Sequence, residues 1–218
     1  SPKGYLINTD GAKFTIGSET QYSYSNYGAI VTIKFKDVPI KGQIEVNKTG
    51  EKVIIEDDSI NYEEIPLEGV VFEIYAKDDI LSSDGNTLYY EKDQLVDTIT
   101  TNKEGYAISK KLHLGSYYIV EIHTKEGYVL DSTKYDFTLT EKDNKTPIVY
   151  ETISKLNYLK KGTLEFTKTD ISGSKALPNT TIEIYTEKDE LIYKNKTDEN
   201  GKIVIDKLPI GKYYILEK

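Results

Sequence analysis

Two lysines stand where an ammonium group is hard to place. Lys48 closes the stretch Gly42-Gln-Ile-Glu-Val-Asn-Lys48, and Lys168 closes Gly162-Thr-Leu-Glu-Phe-Thr-Lys168, each six residues after a glycine. Both stretches alternate as strands do, so Ile44, Val46 and Lys48 share one face, as do Leu164, Phe166 and Lys168. That face is the apolar one, and an unpaired charge buried there is costly enough to require a partner. Glutamates fall on comparable faces. Tyr117, Ile119 and Glu121 line up, as do Tyr213, Ile215 and Glu217, and Asp37 follows the alternating Val31, Ile33 and Phe35. A lysine amine is a nucleophile only when neutral, and burial lowers its pKa. A carboxyl in apolar surroundings keeps its proton more readily and can donate it. Hydrogen-bonded to an Asn or Asp carbonyl, it makes that carbon electrophilic. A neutral lysine beside such a carbon is able to form an amide, a self-reaction that needs no substrate and no cofactor. An edge-strand lysine that snorkels to water, or a buried Lys–Glu ion pair, satisfies the same alternation.

Composition narrows the class. The chain has 218 residues, enough for one to two domains, and a net charge of −8, which argues against a nucleic-acid surface. With no cysteine there are neither disulfides nor thiolate metal sites. Nineteen tyrosines against five phenylalanines, with abundant Thr, Ile and Val, favour strands. No apolar run reaches the length of a membrane helix and no signal peptide opens the chain, which begins at Ser1 and reads as a fragment or processed product. Asp57-Asp58 and Asp78-Asp79 lack the spacing of a calcium loop, and His113 and His123 are isolated, so no metal site is expected.

Strands are expected at Tyr5–Ile16 (around an Asp10-Gly11 turn), Ile30–Asp37, from Gly42, and at Val70–Tyr75, Leu95–Thr100, Tyr106–Leu112, Tyr117–Ile122, Tyr135–Thr140 and Ile148–Tyr158. Residues 17–28, the acidic run Glu51–Glu64 and a polar excursion over 76–94 read as loops, the last as a mobile one. Many short strands with Gly/Asn/Asp turns and no helical periodicity indicate an all-β sandwich.

The chain also repeats itself. Leu67-Glu-Gly-Val-Val-Phe-Glu-Ile-Tyr75 matches Leu177-Pro-Asn-Thr-Thr-Ile-Glu-Ile-Tyr185, and Leu112-His-Leu-Gly-Ser-Tyr-Tyr-Ile-Val-Glu121 matches Leu208-Pro-Ile-Gly-Lys-Tyr-Tyr-Ile-Leu-Glu217. The distance from Gly105 to Glu121 equals that from Gly201 to Glu217, sixteen residues. Residues 1–41 align with 125–161, so Asp37 and Asn157 each lie five residues before a repeat glycine. The expected organisation is one complete domain over 42–160, the C-terminal half of a domain over 1–41, and the N-terminal half of another over 161–218. Leu177-Pro-Asn-Thr180 looks like a sortase signal, but it precedes Thr181 inside a domain and reads as a turn into a strand.

Lys48, Tyr117-Tyr-Ile-Val-Glu121, Glu126-Gly-Tyr128 and Asn157, in this order, resemble the collagen-adhesin B-type (SpaA-like, prealbumin-like) domains of Gram-positive surface proteins and pilins. The resemblance implies tandem immunoglobulin-like, prealbumin-like β-sandwiches that form spontaneous isopeptide bonds and are not enzymes. Carried over to this chain, Lys48 bonds Asn157 with Glu121 as proton shuttle, and Lys168 bonds Asp37 with Glu217 as shuttle. The second bond requires either a neighbouring copy, head to tail, or a fold-back of the N-terminal segment. The implied role is a stalk or fibre segment, extracellular and cell-wall anchored, with no nucleic-acid partner. The other reading is an adhesin module that recognises a host matrix protein or glycan through residues 76–94 or Tyr22-Ser-Tyr-Ser-Asn-Tyr27.

Overall fold

The computed structural model describes residues 2–14, 23–25, 28–30, 32–34, 36–57 and 59–218. Ser23–Ser25 (β1) and Gly28–Ile30 (β2) form a small hairpin. A central sandwich then opens with Lys41–Glu56 (β3), which turns back as Ser59–Pro66 (β4). It continues through Val71–Ala76 (β5), Ile80–Leu81 (β6), Leu88–Tyr90 (β7), Leu95–Thr100 (β8), Tyr106–Ile108 (β9) and Leu112–His113 (β10). Gly115–His123 (β11), Tyr135–Leu139 (β12) and Ile148–Asn157 (β13) complete it. One sheet has the order β10-β3-β13, with β4 and β9 also on β3, and the other has the order β12-β11-β5-β8. The first and last strands pair in parallel, from Ile148 opposite Lys41 to Asn157 opposite Gly50. Alternation decides what lies between the sheets. Ile44 and Val46 from one sheet, and Ile74, Tyr117 and Ile119 from the other, are fully buried.

The C-terminal part rebuilds this plan on a smaller scale. Lys161–Thr167 (β14) pairs with Lys202–Pro209 (β17), while Leu191–Lys196 (β16), Thr181–Thr186 (β15) and Tyr213–Glu217 (β18) form a three-stranded sheet in that order. A second core of Ile182, Ile184, Ile192, Ile203, Ile205 and Leu208 sits between them. The repeat extends to polar detail. Tyr117 and Tyr213 each donate a phenolic hydrogen bond to the carbonyl four residues back (2.6 and 2.7 Å). Thr101 and Thr197 each bond the carbonyl of the repeat leucine, Leu67 and Leu177 (2.7 and 2.8 Å). Stacked tyrosine pairs recur as Tyr75–Tyr118 and Tyr185–Tyr214.

Four expectations are corrected. The acidic run Glu51–Glu64 is an antiparallel hairpin, in which Lys52 Nζ meets Glu63 at 2.8 Å across the strands and Thr49 Oγ1 donates to Glu64 at 3.1 Å. The expected strands at Tyr5–Ile16 and Ile30–Asp37 are not formed over residues 6–14, 32–34 and 36–38; Tyr5 makes one bridge, to Pro39, and Ile33 is exposed. Strand propensity without a partner strand does not make a strand, and Val31 and Phe35 lie outside the described residues. The loop expected at 17–28 instead carries β1 and β2, with Tyr22, Asn26 and Tyr27 outside the described residues. The 76–94 excursion contains a hairpin of β6 and β7, and its Tyr89 ring stacks on His113 with centroids 3.4 Å apart.

Gly105 and its counterpart Gly201 hold the turns that carry both lysine strands. Each has a left-handed φ (+71° and +70°), and a Cβ there would lie 2.2 or 2.4 Å from the carbonyl oxygen of Lys48 or Lys168. Each glycine carbonyl in turn accepts the lysine backbone N–H, at 2.7 and 2.8 Å. Gly105→Ala therefore combines an unfavourable backbone region with a main-chain collision. It is expected to cost at least about 2 kcal/mol and to lower the melting temperature by about 5 °C or more, measured by calorimetry. Gly69→Ala serves as the comparison: its φ is also positive, at +83°, but nothing lies within 4 Å of the added Cβ.

Candidate functional site

Lys48 is the eighth residue of β3 and points between the sheets. It is 1% exposed, Asn157 at the end of β13 is likewise 1% exposed, and Glu121 on β11 is 2% exposed. Three strands thus deliver three polar side chains into one dry space beside Ile119 and Val46. Lys48 Nζ donates to Asn157 Oδ1 at 2.6 Å and lies 3.0 Å from Glu121 Oε2. Asn157 Nδ2 donates to Glu121 Oε1 at 2.6 Å and to Thr124 Oγ1 at 2.8 Å. Donors and acceptors fix the amide orientation, since an ammonium has nothing to accept with and a carboxylate nothing to donate. The triangle is nearly closed: among the described residues, Glu121 Oε2 is the buried side-chain oxygen that receives no aligned hydrogen bond. Burial pushes the Lys48 pKa below the usual lysine value, a shift opposed by the adjacent Glu121 carboxylate and by the charge of Asp131.

The placement differs from the expected chemistry in one respect. Glu121 bonds the amide nitrogen of Asn157, not its carbonyl oxygen, which Lys48 takes. The carboxylate is therefore set against the atom that would leave as ammonia. Lys155, two residues before Asn157 and so on the same face, does not enter the site; its ammonium sits 3.2 Å above the Tyr135 ring.

Thr124 was not legible as a site residue. Strand alternation from Tyr117, Ile119 and Glu121 turns it outward, but the pairing of β11 with β5 slips between Glu121 and His123, and this bulge returns Thr124 to the inner face. No residue type or spacing announces a bulge of that kind.

The second set of expected site residues is only partly assembled. Lys168 Nζ lies 2.9 Å from Glu217 Oε2, with side chains 27% and 53% exposed. Asp37 is elsewhere. It precedes Pro39, which bridges Tyr5, and the nearby backbone bonds Ile40 N to Gly4 O and Lys41 N to Pro147 O. This is the starting end of β3. Lys168 follows β14, beyond the other end of the sandwich, and the nine strand steps from Lys41 to Gly50 alone span about 30 Å.

Among the described residues no cluster of His, Cys, Asp and Glu is arranged to hold a metal, and no helix is long and apolar enough to cross a membrane.

The sequence matches the SpaA prealbumin-like fold domain twice, over residues 42–153 and 162–218. The trypsin-resistant surface T6 protein of Streptococcus pyogenes serotype M6 is 41% identical over 51 residues, which is 23% of this chain and 10% of that protein. Serine-aspartate repeat-containing protein D of Staphylococcus aureus strain Newman is 31% identical over 148 residues, 60% of this chain and 11% of that protein. The alignments thus cover about a tenth of the length of these curated relatives. Among solved structures, the Bacillus anthracis TIE protein superposes with a TM-score of 0.64 at 24% identity, covering 100% of this chain and 34% of that one, a likeness of fold. With more than half of its residues matched in two successive segments, the chain belongs to the SpaA family of prealbumin-like fold domains.

Proposed function

We propose that this chain is a load-bearing segment of a Gram-positive cell-surface fibre or adhesin, and that its central domain locks itself with an isopeptide bond between Lys48 and Asn157. The observation that carries the reading is the buried triangle of Lys48, Asn157 and Glu121, closed at 2.6 to 3.0 Å between the first and last strands. An ordinary structural ion pair would not need a carboxamide placed between its two partners. Similarity to the trypsin-resistant surface T6 protein of Streptococcus pyogenes supports the location outside the cell.

The chemistry follows from the contacts. Glu121 takes a proton from the Lys48 ammonium, whose acidity burial has increased. The neutral Nζ attacks Cγ of Asn157, forming a C–N bond. Glu121 passes its proton to Nδ2 and the C–Nδ2 bond breaks. A second proton leaves the former lysine nitrogen, so an ammonium and a carboxamide become a secondary amide and an ammonium ion. Thr124 accepts from Nδ2 and holds the amide in register while this occurs. Each group acts once, so the domain modifies itself and turns over no substrate.

For the second set, Lys168 and Glu217 are the half of a site that Asp37 of a neighbouring copy or repeat would complete, head to tail. The opposite placement of Asp37 and Lys168 along the molecule supports this over fold-back. Such a heterologous contact extends the array.

Three results are expected. Intact mass should fall short of the sequence mass by one ammonia, and Lys48→Ala should restore the full, uncrosslinked value; a wild-type mass equal to that of the sequence sinks the proposed bond. Glu121→Ala should leave the sandwich folded by circular dichroism yet uncrosslinked, with slowed crosslinking by at least about a hundredfold, in the range of a lost general acid–base. Crosslinking at the wild-type rate would remove Glu121 from its role. Finally, concentrated samples boiled in denaturant should run as a ladder that Lys168→Ala abolishes, whereas monomer alone in the wild type argues that Lys168 and Asp37 do not join chains.

A further inference from the structure

The two copies differ in length between the lysine and the repeat leucine. In both, the leucine N–H bonds the lysine carbonyl, Leu67 to Lys48 at 3.0 Å and Leu177 to Lys168 at 3.1 Å. Eight residues, 169–176, close this loop in the C-terminal copy, and eighteen residues, 49–66, close it in the central one. The ten additional residues are not slack. They prolong β3 by a further turn-and-return, so that β3 and β4 project as a hairpin past the end of the sandwich.

The hairpin lands on the next domain. Ile60, near its tip, packs against the second core of Ile182, Ile184, Ile192, Ile203, Ile205 and Leu208. The Tyr62 hydroxyl donates to the carbonyl of Lys207, a residue held at φ +59° in β17. At the root, Glu51 is 8% exposed, and its carboxylate accepts from Lys161 Nζ at 2.7 Å and from Leu159 N at 2.9 Å. The Lys161 ammonium also sits 3.8 Å above the Tyr62 ring. Lys161 is the first residue of β14, so this one ammonium ties the hairpin to the connector between domains. Ile210 N, from the C-terminal domain, bonds Lys160 O at 3.0 Å, and Lys160 N bonds Gly127 O at 2.7 Å.

We propose that the β3–β4 hairpin is a brace that docks on the following SpaA-type domain and fixes the angle between successive domains. Its partner is a domain of its own kind, seated through an aliphatic contact at Ile60, a main-chain acceptor at Lys207 and a partly buried Glu51–Lys161 latch. Without such a hairpin, the junction would rest on the short connector at residues 158–160, and two domains joined so would be expected to move relative to one another. This device is independent of the isopeptide bond and would operate whether or not Lys48 reacts.

The absence of native cysteine makes the test direct. Cysteines placed at the exposed positions Thr98 and Lys188 carry spin labels on the central and C-terminal domains, and pulsed dipolar spectroscopy reads their distance distribution. The otherwise unaltered chain should give one narrow distribution. Tyr62→Ala, which leaves Ile60 and the second core in place, should at least double its width. A variant with residues 51–64 replaced by Asn-Gly keeps the pairing base near Leu67 and removes the brace entirely, and should broaden it further. An unchanged width in the shortened variant, with circular dichroism retained, overturns the proposal. A distribution already broad in the parent chain overturns it as well.

Discussion

Everything in the central domain is arranged around a lysine ammonium held away from water. Removing such a charge from solvent costs several kcal/mol even after relaxation, and the attraction of one carboxylate returns that only with good geometry. Here the geometry is shared among three groups, and one carboxylate oxygen of Glu121 still lacks an aligned donor. As an ion pair alone this is a poor source of stability. As a reactant state it has the needed properties: a nucleophile with a lowered pKa, an amide in contact with it, and a carboxylate against the leaving nitrogen. The proposed bond removes the buried charge and converts the least favourable feature of the core into its strongest link.

The surrounding structure is built to hold strand ends still. Gly105 leaves no room beside the Lys48 carbonyl, Tyr117 ties β11 to the carbonyl of His113, and Tyr128 reaches back to the carbonyl of Glu51 at 2.7 Å. The first two devices recur around Lys168 and Tyr213, where the lysine and glutamate also meet but remain half open to water. Positioning the lysine and the glutamate is thus already complete in the C-terminal copy with its five strands β14 to β18. Burial depends on the last strand. In the central domain β13 supplies it, bringing Asn157 and the cover over Lys48 together.

Most of this was legible because the signals were local and repeated. Period-two alternation put Lys48 with Ile44 and Val46, and Glu121 with Tyr117 and Ile119, and all of them are buried. The all-β architecture followed from the same alternation and its turn residues. What escaped the sequence depended on partners distant in the chain. The acidic hairpin read as a loop, since charge suggests solvent until the strand that pairs with it is known. Tyr5–Ile16 and Ile30–Asp37 read as strands from propensity, yet residues 6–14, 32–34 and 36–37 find no ladder. Thr124 was hidden by a one-residue slip, which inverts the face of every residue after it.

The topology gives the proposed bond a mechanical meaning. β3 and β13 run parallel, so tension entering before Lys41 and leaving after Asn157 would shear their ladder along its full length. A bond between Lys48 and Asn157, 109 residues apart in sequence, shortens the load path to Lys41–Lys48, one amide and the connector beyond Asn157. All residues from 49 to 156 then lie off that path. The β3–β4 hairpin is among them, although it is a direct continuation of the loaded strand. It can hold the next domain at a fixed angle without being drawn straight, because the force turns aside at the residue before it begins. Placing an orienting contact immediately past the crosslink separates two tasks, resisting tension and setting direction, that a single continuous strand could not perform together.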